Sequence, residues 1–374
     1  MSVDASPTDR RLIAFNLGFL DGAPLTGPGY YAVQLFAELH PIVAARSDRA
    51  LLGFVQRCAL VHFPVHLHEA LHVVDDLPGG RVARVAWEQL RLPMLTRRAG
   101  TDLLFSPGFI SPMWGSRQYA ACIHDMYYAV IPDLIDPRQR RYWQMFIPLT
   151  VRRCQRLIAV STQTRQDLER ILPAATGKVR VTKLASRMQP GQAIEPATIA
   201  GPYILMVANL TANKNVETIL AALEAVRHAG YDLRLVHIGR DPDDRLARWR
   251  DDASAPVVAL GKVSDATLAG LYHDAIAVVN ASLYEGFGLP AVEAQAMGAP
   301  LISSHHPALV EAAGTDGALF YDPKAPDQLA THLMRLLDEP MLRDSLRERG
   351  YRNAASMSWG RVARETMAIF DEIL

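Results

Sequence analysis

Short apolar runs alternate along this chain with longer stretches in which apolar residues recur every three or four positions. The first pattern reads as buried strand and the second as amphipathic helix. In the first half, strands are expected over 12–19, 50–54, 71–74, 102–106, 120–123, 156–161 and 179–182. Helices are expected over 30–39, 87–95, 142–154 and 162–172, the last capped by Ser161 or Thr162. Residues 185–201 lose the periodicity and gain Pro190, Gly191 and Pro196, so they read as a linker. The pattern then restarts, with strands over 203–208, 233–239, 257–262, 275–279, 301–304 and 318–321. Helices are expected over 216–229, 245–251, 265–274, 326–338, 341–355 and 358–374. Strand-helix alternation of this kind predicts an α/β protein with parallel sheets, in two halves. A cleft between two such halves is a favoured place for a small ligand.

One strand-turn-helix passage, residues 282–300, carries more chemistry than the others. Gly286 and Gly288 bracket Phe287 where the backbone can approach a ligand closely, and Pro290 suits the first turn of the helix that follows. The amides of Gly286, Phe287, Gly288 and Leu289 would converge with the positive end of that helix, an anion site. Glu285 precedes the turn and Glu293 is expected in the first helical turn. An anion cradle with a carboxylate on each side suits a ligand that is anionic in the middle and rich in hydroxyls at both ends, such as a nucleotide sugar.

Composition narrows the classes. The chain has 374 residues, long for one core and usual for two domains. Its 39 basic residues balance 39 acidic ones, which gives no support for a nucleic-acid-binding surface. Cys58, Cys122 and Cys154 show neither metal-ligand spacing nor a disulfide framework, so a reducing, cytoplasmic setting is expected. The first ten residues are polar, without a signal core, and no run approaches the length of a spanning helix. Peripheral attachment to the inner face of a membrane stays open. His62, His66, His68 and His72 lack convincing carboxylate or cysteine partners, so no metal site is assigned there.

Two features of the first half stand near expected strand ends. Gly27 and Gly29 lie in a loop ahead of Tyr30, where a ligand could come close; an ordinary tight turn explains them equally well. His124 and Asp125 follow a buried strand at its carboxyl end, where open parallel sheets bind ligands, and Asp125 reads as structural.

The stretch from Ser282 to Gly298 resembles the E-x7-E signature of retaining glycosyltransferases of the GT-B fold, family 4. Other pieces follow in that family's order. Residues 26–29 resemble its N-terminal glycine loop, 123–125 its cleft histidine, 157–161 its last N-domain strand and 213–215 its phosphate-binding lysine loop. Residues 261–263 with 268–272 resemble its base pocket, and 358–361 the start of its terminal helix. The likeness, strongest to bacterial mannosyltransferase-like members, covers nearly the whole chain. It implies two Rossmann-like domains facing a central cleft, with a C-terminal helix crossing back to the N-terminal domain. The boundaries it suggests are 1–184 for an acceptor-binding domain, 185–200 for the linker, 201–356 for the nucleotide-sugar-binding domain and 357–374 for the returning helix.

The same resemblance implies roles. His124, Glu285 and Lys214 would be catalytic. Gly286, Phe287, Gly288, Leu289, Glu293, Asn209, Lys262 and Val263 would bind the donor, with Glu293 on the ribose. Gly27, Gly29 and Tyr30 would form the acceptor-side loop. A lysine with preorganised amides would stabilise the departing diphosphate, so no metal and no other cofactor is expected. The implied activity moves a hexose, mannose favoured, from a nucleoside-diphosphate sugar to a glycan or lipid-linked acceptor in bacterial surface polysaccharide assembly. GDP-mannose is favoured over UDP-sugars as donor. A nucleotide-sugar epimerase or phosphorylase of the same fold, or a non-catalytic binding protein, are the alternatives. One departure stands out: the family usually pairs its lysine with one arginine, either near Asn209 or directly before the lysine, and these two positions are Asn209 and Asn213 here. Arg187, Arg240 and Lys262 are candidate substitutes.

Overall fold

A computed structural model describes residues 10–75, 80–196, 198–249 and 255–374. The chain divides into two compact units. One comprises the chain up to Leu184 together with Trp359–Leu374, and the other is Ala185–Ser358.

The first unit is built on seven parallel strands: β1 (Arg11–Asn16), β2 (Arg49–Gln56), β3 (Leu71–Val74), β4 (Leu103–Ser106), β5 (Gln118–Ile123), β6 (Arg156–Ala159) and β7 (Val179–Val181). Their order in the sheet is β3-β2-β1-β4-β5-β6-β7, so the chain reverses direction of growth between β1 and β4. Five helices cover this sheet in chain order: α1 (Gly27–Ala44), α2 (Arg81–Arg98), α3 (Tyr127–Val130), α4 (Pro137–Arg153) and α5 (Thr162–Ile171). On one face Ala14, Leu104, Ala121 and Leu157 pack with Trp87 and Leu92 of α2 and Ile147 and Val151 of α4. On the other, Phe15 meets Phe36 of α1 edge to face at 5.4 Å between ring centroids.

Six strands form the second unit's sheet: β8 (Tyr203–Val207), β9 (Arg234–Ile238), β10 (Val257–Gly261), β11 (Ala277–Asn280), β12 (Leu301–Ser304) and β13 (Leu319–Tyr321). They run parallel in the order β10-β9-β8-β11-β12-β13, again with a reversal at the centre, between β8 and β11. The helices are α6 (Val216–His228), α7 (Asp265–Asp274), α8 (Leu289–Ala296), α9 (Pro307–Ala313), α10 (Pro326–Asp338) and α11 (Pro340–Ala355). Both faces of β8 are buried, Ile204 and Met206 in one cluster and Tyr203 and Leu205 in another, which is why it reads as a continuous apolar run.

The closing helix α12 (Trp359–Asp371) belongs to the first unit. Phe370 packs on Phe105 at 5.1 Å, Trp359 meets Tyr30 at 6.0 Å, and Glu372 just beyond the helix binds Arg156 and Arg180.

Several boundaries differ from the sequence expectations, each for a local reason. Helix α1 begins at Gly27, so Gly27, Pro28 and Gly29 form its first turn rather than a loop. It runs through Pro41 to Ala44, and α2 likewise contains Pro93. Strand β1 stops at Asn16, whose side chain accepts a bond from the Gly18 amide and turns the chain away. Helix α4 starts early because Asp136 accepts bonds from the amides of Arg138 and Gln139. Of Ser161 and Thr162, Ser161 is the cap of α5. The helix expected over 245–251 is a 3-10 turn at Ala247–Trp249, and residues 250–251 lie outside the described residues. The linker is not a free tether. Met188 is buried with Tyr203 and Leu268 in the second unit's core, and Glu195 bonds Thr267.

Candidate active site

The second unit collects its polar chemistry where β8 and β11 part. In open parallel sheets the loops at such a reversal diverge and leave a crevice beyond the strand ends. The loop after β8 holds Asn209 and Lys214; the loop after β11 holds Ser282 and Glu285. Hydrogen bonds join the two loops. The Asn213 side chain donates to the Tyr284 carbonyl at 3.3 Å, and the Asn213 carbonyl accepts from the Leu283 amide at 2.8 Å. Asn215, in the left-handed region at φ 53°, donates to the carbonyls of Ala281 and Pro323. Asparagine suits that backbone because its short polar side chain offsets the strain locally.

Across this frame the Lys214 ammonium is ion-paired with Glu285 Oε1, which also accepts from Ser282 Oγ at 2.8 Å. A small cavity lined by Ala208, Lys214, Asn280, Ser282, Glu285 and Pro290 opens beside the pair. Next comes Gly288, the residue capping α8, at φ 106°. A Cβ there would lie 2.4 Å from Leu309 Cδ2, so glycine is demanded by backbone and space alike. Gly286 and Phe287 are buried, and Leu289 and Pro290 begin α8, whose Ala291 amide bonds the Gly288 carbonyl at 3.0 Å.

Glu293 is buried, and it sits in the second turn of α8 rather than the first, because the helix begins only at Leu289. Both its oxygens are engaged. Oε1 accepts from Arg187 Nε at 2.8 Å and Oε2 from the Tyr272 hydroxyl at 2.9 Å. Burial, then the Glu293 charge, pushes the Tyr272 phenol well above its ordinary pKa, so it stays a donor. Each carboxylate oxygen keeps a lone pair for a further donor.

The other expected donor residues fall outside this cluster. Asn209 Oδ1 accepts from the Arg240 amide at 3.0 Å, a bond that ties the β8 loop to the β9 loop. Lys262 is exposed and Val263 packs against the core. Of the three cations named as substitutes for the missing arginine, Arg187 reaches a donor carboxylate, whereas Arg240 and Lys262 present exposed side chains.

In the first unit, His124 follows β5 and is buried. Its Nε2 bonds the Pro107 carbonyl at 2.8 Å; a carbonyl only accepts, so Nε2 carries the proton. Tyr31 meets the ring edge-on and Phe109, at φ 75°, packs obliquely, both at 5.1 Å. Burial pushes the imidazole pKa down to about 4, with the carbonyl pulling weakly the other way, so His124 is neutral near pH 7. Asp125 holds the Tyr127 amide in a turn. Gly27 and Tyr30 stand at the start of α1, and Gly29 is buried there, its Cβ position 3.2 Å from Leu25 Cδ2. His62 and His68 bond the carbonyls of Asp21 and Phe63, and among the described residues no group of three His, Cys, Asp or Glu is placed to hold a metal.

Sequence reasoning missed the Tyr272 and Arg187 bonds to Glu293 and the two asparagine struts. The signals were faint: Arg187 stands in the aperiodic stretch taken for a linker, and Asn213 and Asn215 merely flank a lysine.

Comparison with known proteins bears on the family and the fold. Residues 201–339, most of the second unit, match the family described as Glycosyl transferases group 1. The chain is 26% identical over 385 residues to O-antigen chain mannosyltransferase B of Escherichia coli, covering 92% of this chain and 95% of that protein. It is 42% identical over 115 residues to the MMP alpha-(1→4)-mannosyltransferase of Mycolicibacterium hassiacum, covering 30% of this chain and 28% of that one. Among solved structures, sucrose-phosphate synthase from Thermosynechococcus elongatus superposes with a TM-score of 0.73 at 18% identity, over 97% of this chain and 99% of that one. The chain is thus a glycosyltransferase of the GT-B fold that resembles bacterial mannosyltransferases, with a group 1 glycosyl transferase domain in its second unit.

Proposed function

We propose that the chain transfers a hexose, mannose in first place, from a nucleoside-diphosphate sugar to a hydroxyl of a glycan or lipid-linked glycan. The observation that carries this reading is the Lys214–Glu285 pair at the reversal of the second sheet, one α-helical turn-start away from the buried Glu293. In this reading Glu293 takes the ribose hydroxyls and the amides at the start of α8 take the phosphates. Glu285 takes the sugar, and Lys214 neutralises the charge that grows on the diphosphate as the sugar–phosphate bond breaks. His124, being neutral, serves as a hydrogen-bonding partner rather than an acid near pH 7.

Retention of anomeric configuration follows if attack comes from the face the diphosphate leaves. The acceptor oxygen then bonds the anomeric carbon, and its proton passes to the leaving phosphate. Trapping a sugar–carboxylate adduct on the protein would contradict that route. The likeness to an O-antigen chain mannosyltransferase supports mannose and a role in O-antigen-type polysaccharide assembly, and GDP-mannose is our choice of donor from the sequence resemblance.

Thermal-shift measurement against GDP, UDP and ADP tests the donor. A bound diphosphate raises the melting point by mass action. The largest rise is expected with GDP, and a rise with UDP alone would replace GDP-mannose by a UDP-sugar.

A further inference from the structure

Helices α2 and α4 share one face of the first unit's sheet and are joined through the loop between β4 and β5. Gln89 of α2 donates to the Ser111 carbonyl, the Ser111 amide donates to Thr150 Oγ1 of α4, and Arg153 of α4 donates to the Met113 carbonyl. Their outward composition is unusual. In α4, Arg138, Arg140, Arg141, Arg152 and Arg153 occur with no acidic residue. The acid of α2 is Glu88, which is buried against Asn16. The chain as a whole is neutral, so positive charge is concentrated here.

Several of these arginines stand outside the ion pairs that hold many arginines elsewhere. Arg46, Arg156, Arg180 and Arg245 are all held in ion pairs. By contrast, Arg97, Arg98, Arg141 and Arg152 are exposed and make no ion pair with any described residue. Among them stand exposed apolar side chains at one-turn spacing. Leu90 and Met94 lie on α2, Met145 and Leu149 on α4, and Trp114 lies in the joining loop; Leu90 is 62% and Met145 58% exposed. Residues four apart share a helix face, so each pair forms a short stripe.

We infer that this face of α2, α4 and Trp114 docks on the surface of a lipid bilayer rich in anionic headgroups. Unpaired guanidinium groups match the negative surface potential, and the methionine, leucine and tryptophan side chains can enter the boundary between headgroups and acyl chains. A nucleic acid would satisfy the arginines and leave the apolar stripes in water. Among the described residues no helix is long and apolar enough to cross a membrane, so the attachment is to the surface. The inference stands on this surface alone and does not depend on which sugar is moved.

Co-sedimentation of the full chain with vesicles of phosphatidylglycerol and phosphatidylcholine, against phosphatidylcholine alone, tests it. Binding is expected to the anionic vesicles at low salt and to weaken as salt screens the charges. The double variant Arg97→Gln/Arg98→Gln, and separately Met145→Asp, should each lower the partition coefficient roughly tenfold, with melting unchanged because these side chains are exposed. Absence of binding to anionic vesicles at low salt, equal binding to neutral vesicles, or variants that bind like wild type would overturn the proposal. So would self-association through this face that persists while vesicles are ignored.

Discussion

Lys214 and Glu285 arrive from the carboxyl ends of different strands, β8 and β11, and neutralise one another where the second sheet reverses. In this arrangement the lysine proposed to meet a diphosphate is held by the carboxylate proposed to meet its sugar. Replacing that carboxylate should therefore act in opposite directions on binding and on turnover. Glu285→Gln frees the ammonium and removes a negative charge beside the phosphates. Binding of the free diphosphate should tighten about tenfold, ~1.4 kcal/mol, while donor turnover falls. Calorimetric titration with GDP set beside initial rates reads both; parallel losses would detach Glu285 from the sugar end.

Glu293 makes a second, separable prediction. Arg187→Ala strips its cation and leaves a buried carboxylate with the Tyr272 hydroxyl as its remaining protein donor. Truncating one member of a buried pair costs several-fold or more in whatever that pair organises. Donor KM should rise on the order of tenfold, with kcat changed less. A fall in kcat at unchanged KM would place the pair nearer the reacting sugar than the ribose.

Two buried groups in the first unit titrate in opposite senses. Burial holds His124 down to about 4, so the unfolded chain binds its proton first. Stability from this group is present above pH 6.5 and is lost as pH falls toward 4. Burial pushes Glu88 up to about 7, against the opposing pull of Arg84 and Asn16. Its contribution is present below pH 4.5 and is lost as pH rises through 7. Each amounts to about 3 kcal/mol at most. Denaturant melts from pH 4 to 8 should show a flat wild type, an acid-sensitive Glu88→Gln and an alkali-sensitive His124→Gln. Identical profiles for all three would contradict both assignments.

Gly288→Ala should be costly although it adds one methyl group. The backbone is at φ 106° and the methyl would meet Leu309. A cost on the order of 1–3 kcal/mol is expected, visible as a fall of several degrees in melting. Gly100 also has positive φ, at 71°, with no described atom within 4 Å of its Cβ position, so Gly100→Ala separates backbone strain from collision.

Donor chemistry carried by Lys214 and amides predicts that a chelator leaves turnover intact. Loss of activity in chelator, restored by manganese, would contradict that mechanism.

Much of this was legible in the chain itself. The thirteen strands among the described residues, and their alternation with helices, followed from apolar runs, because a parallel strand buried on both faces, as Tyr203–Val207 is, carries no polar residues to obscure it. Glu285, Gly288 and Glu293 were legible as a candidate anion site because a glycine turn and two flanking carboxylates form a local pattern. What escaped was long-range or masked by loop-like composition. Arg187 is 106 residues from Glu293, and nothing near it in sequence announces the pairing. Helix α1 begins earlier than expected because glycine and proline, ordinarily read as loop, are tolerated in a first turn. Asn213 stands at a position where the resemblance called for an arginine. In the fold it is nearly buried and pins two loops together, a role that no local rule distinguishes from a loop asparagine.

Turnover of GDP-mannose by wild type, Lys214→Ala and Glu285→Ala, followed as GDP release with and without a mannosylated lipid acceptor, tests the central claim most directly. Acceptor-stimulated release is expected from wild type, with a loss of about a hundredfold or more in each variant. The same background rate in all three proteins would contradict it and leave a protein that binds a nucleotide sugar without transferring it.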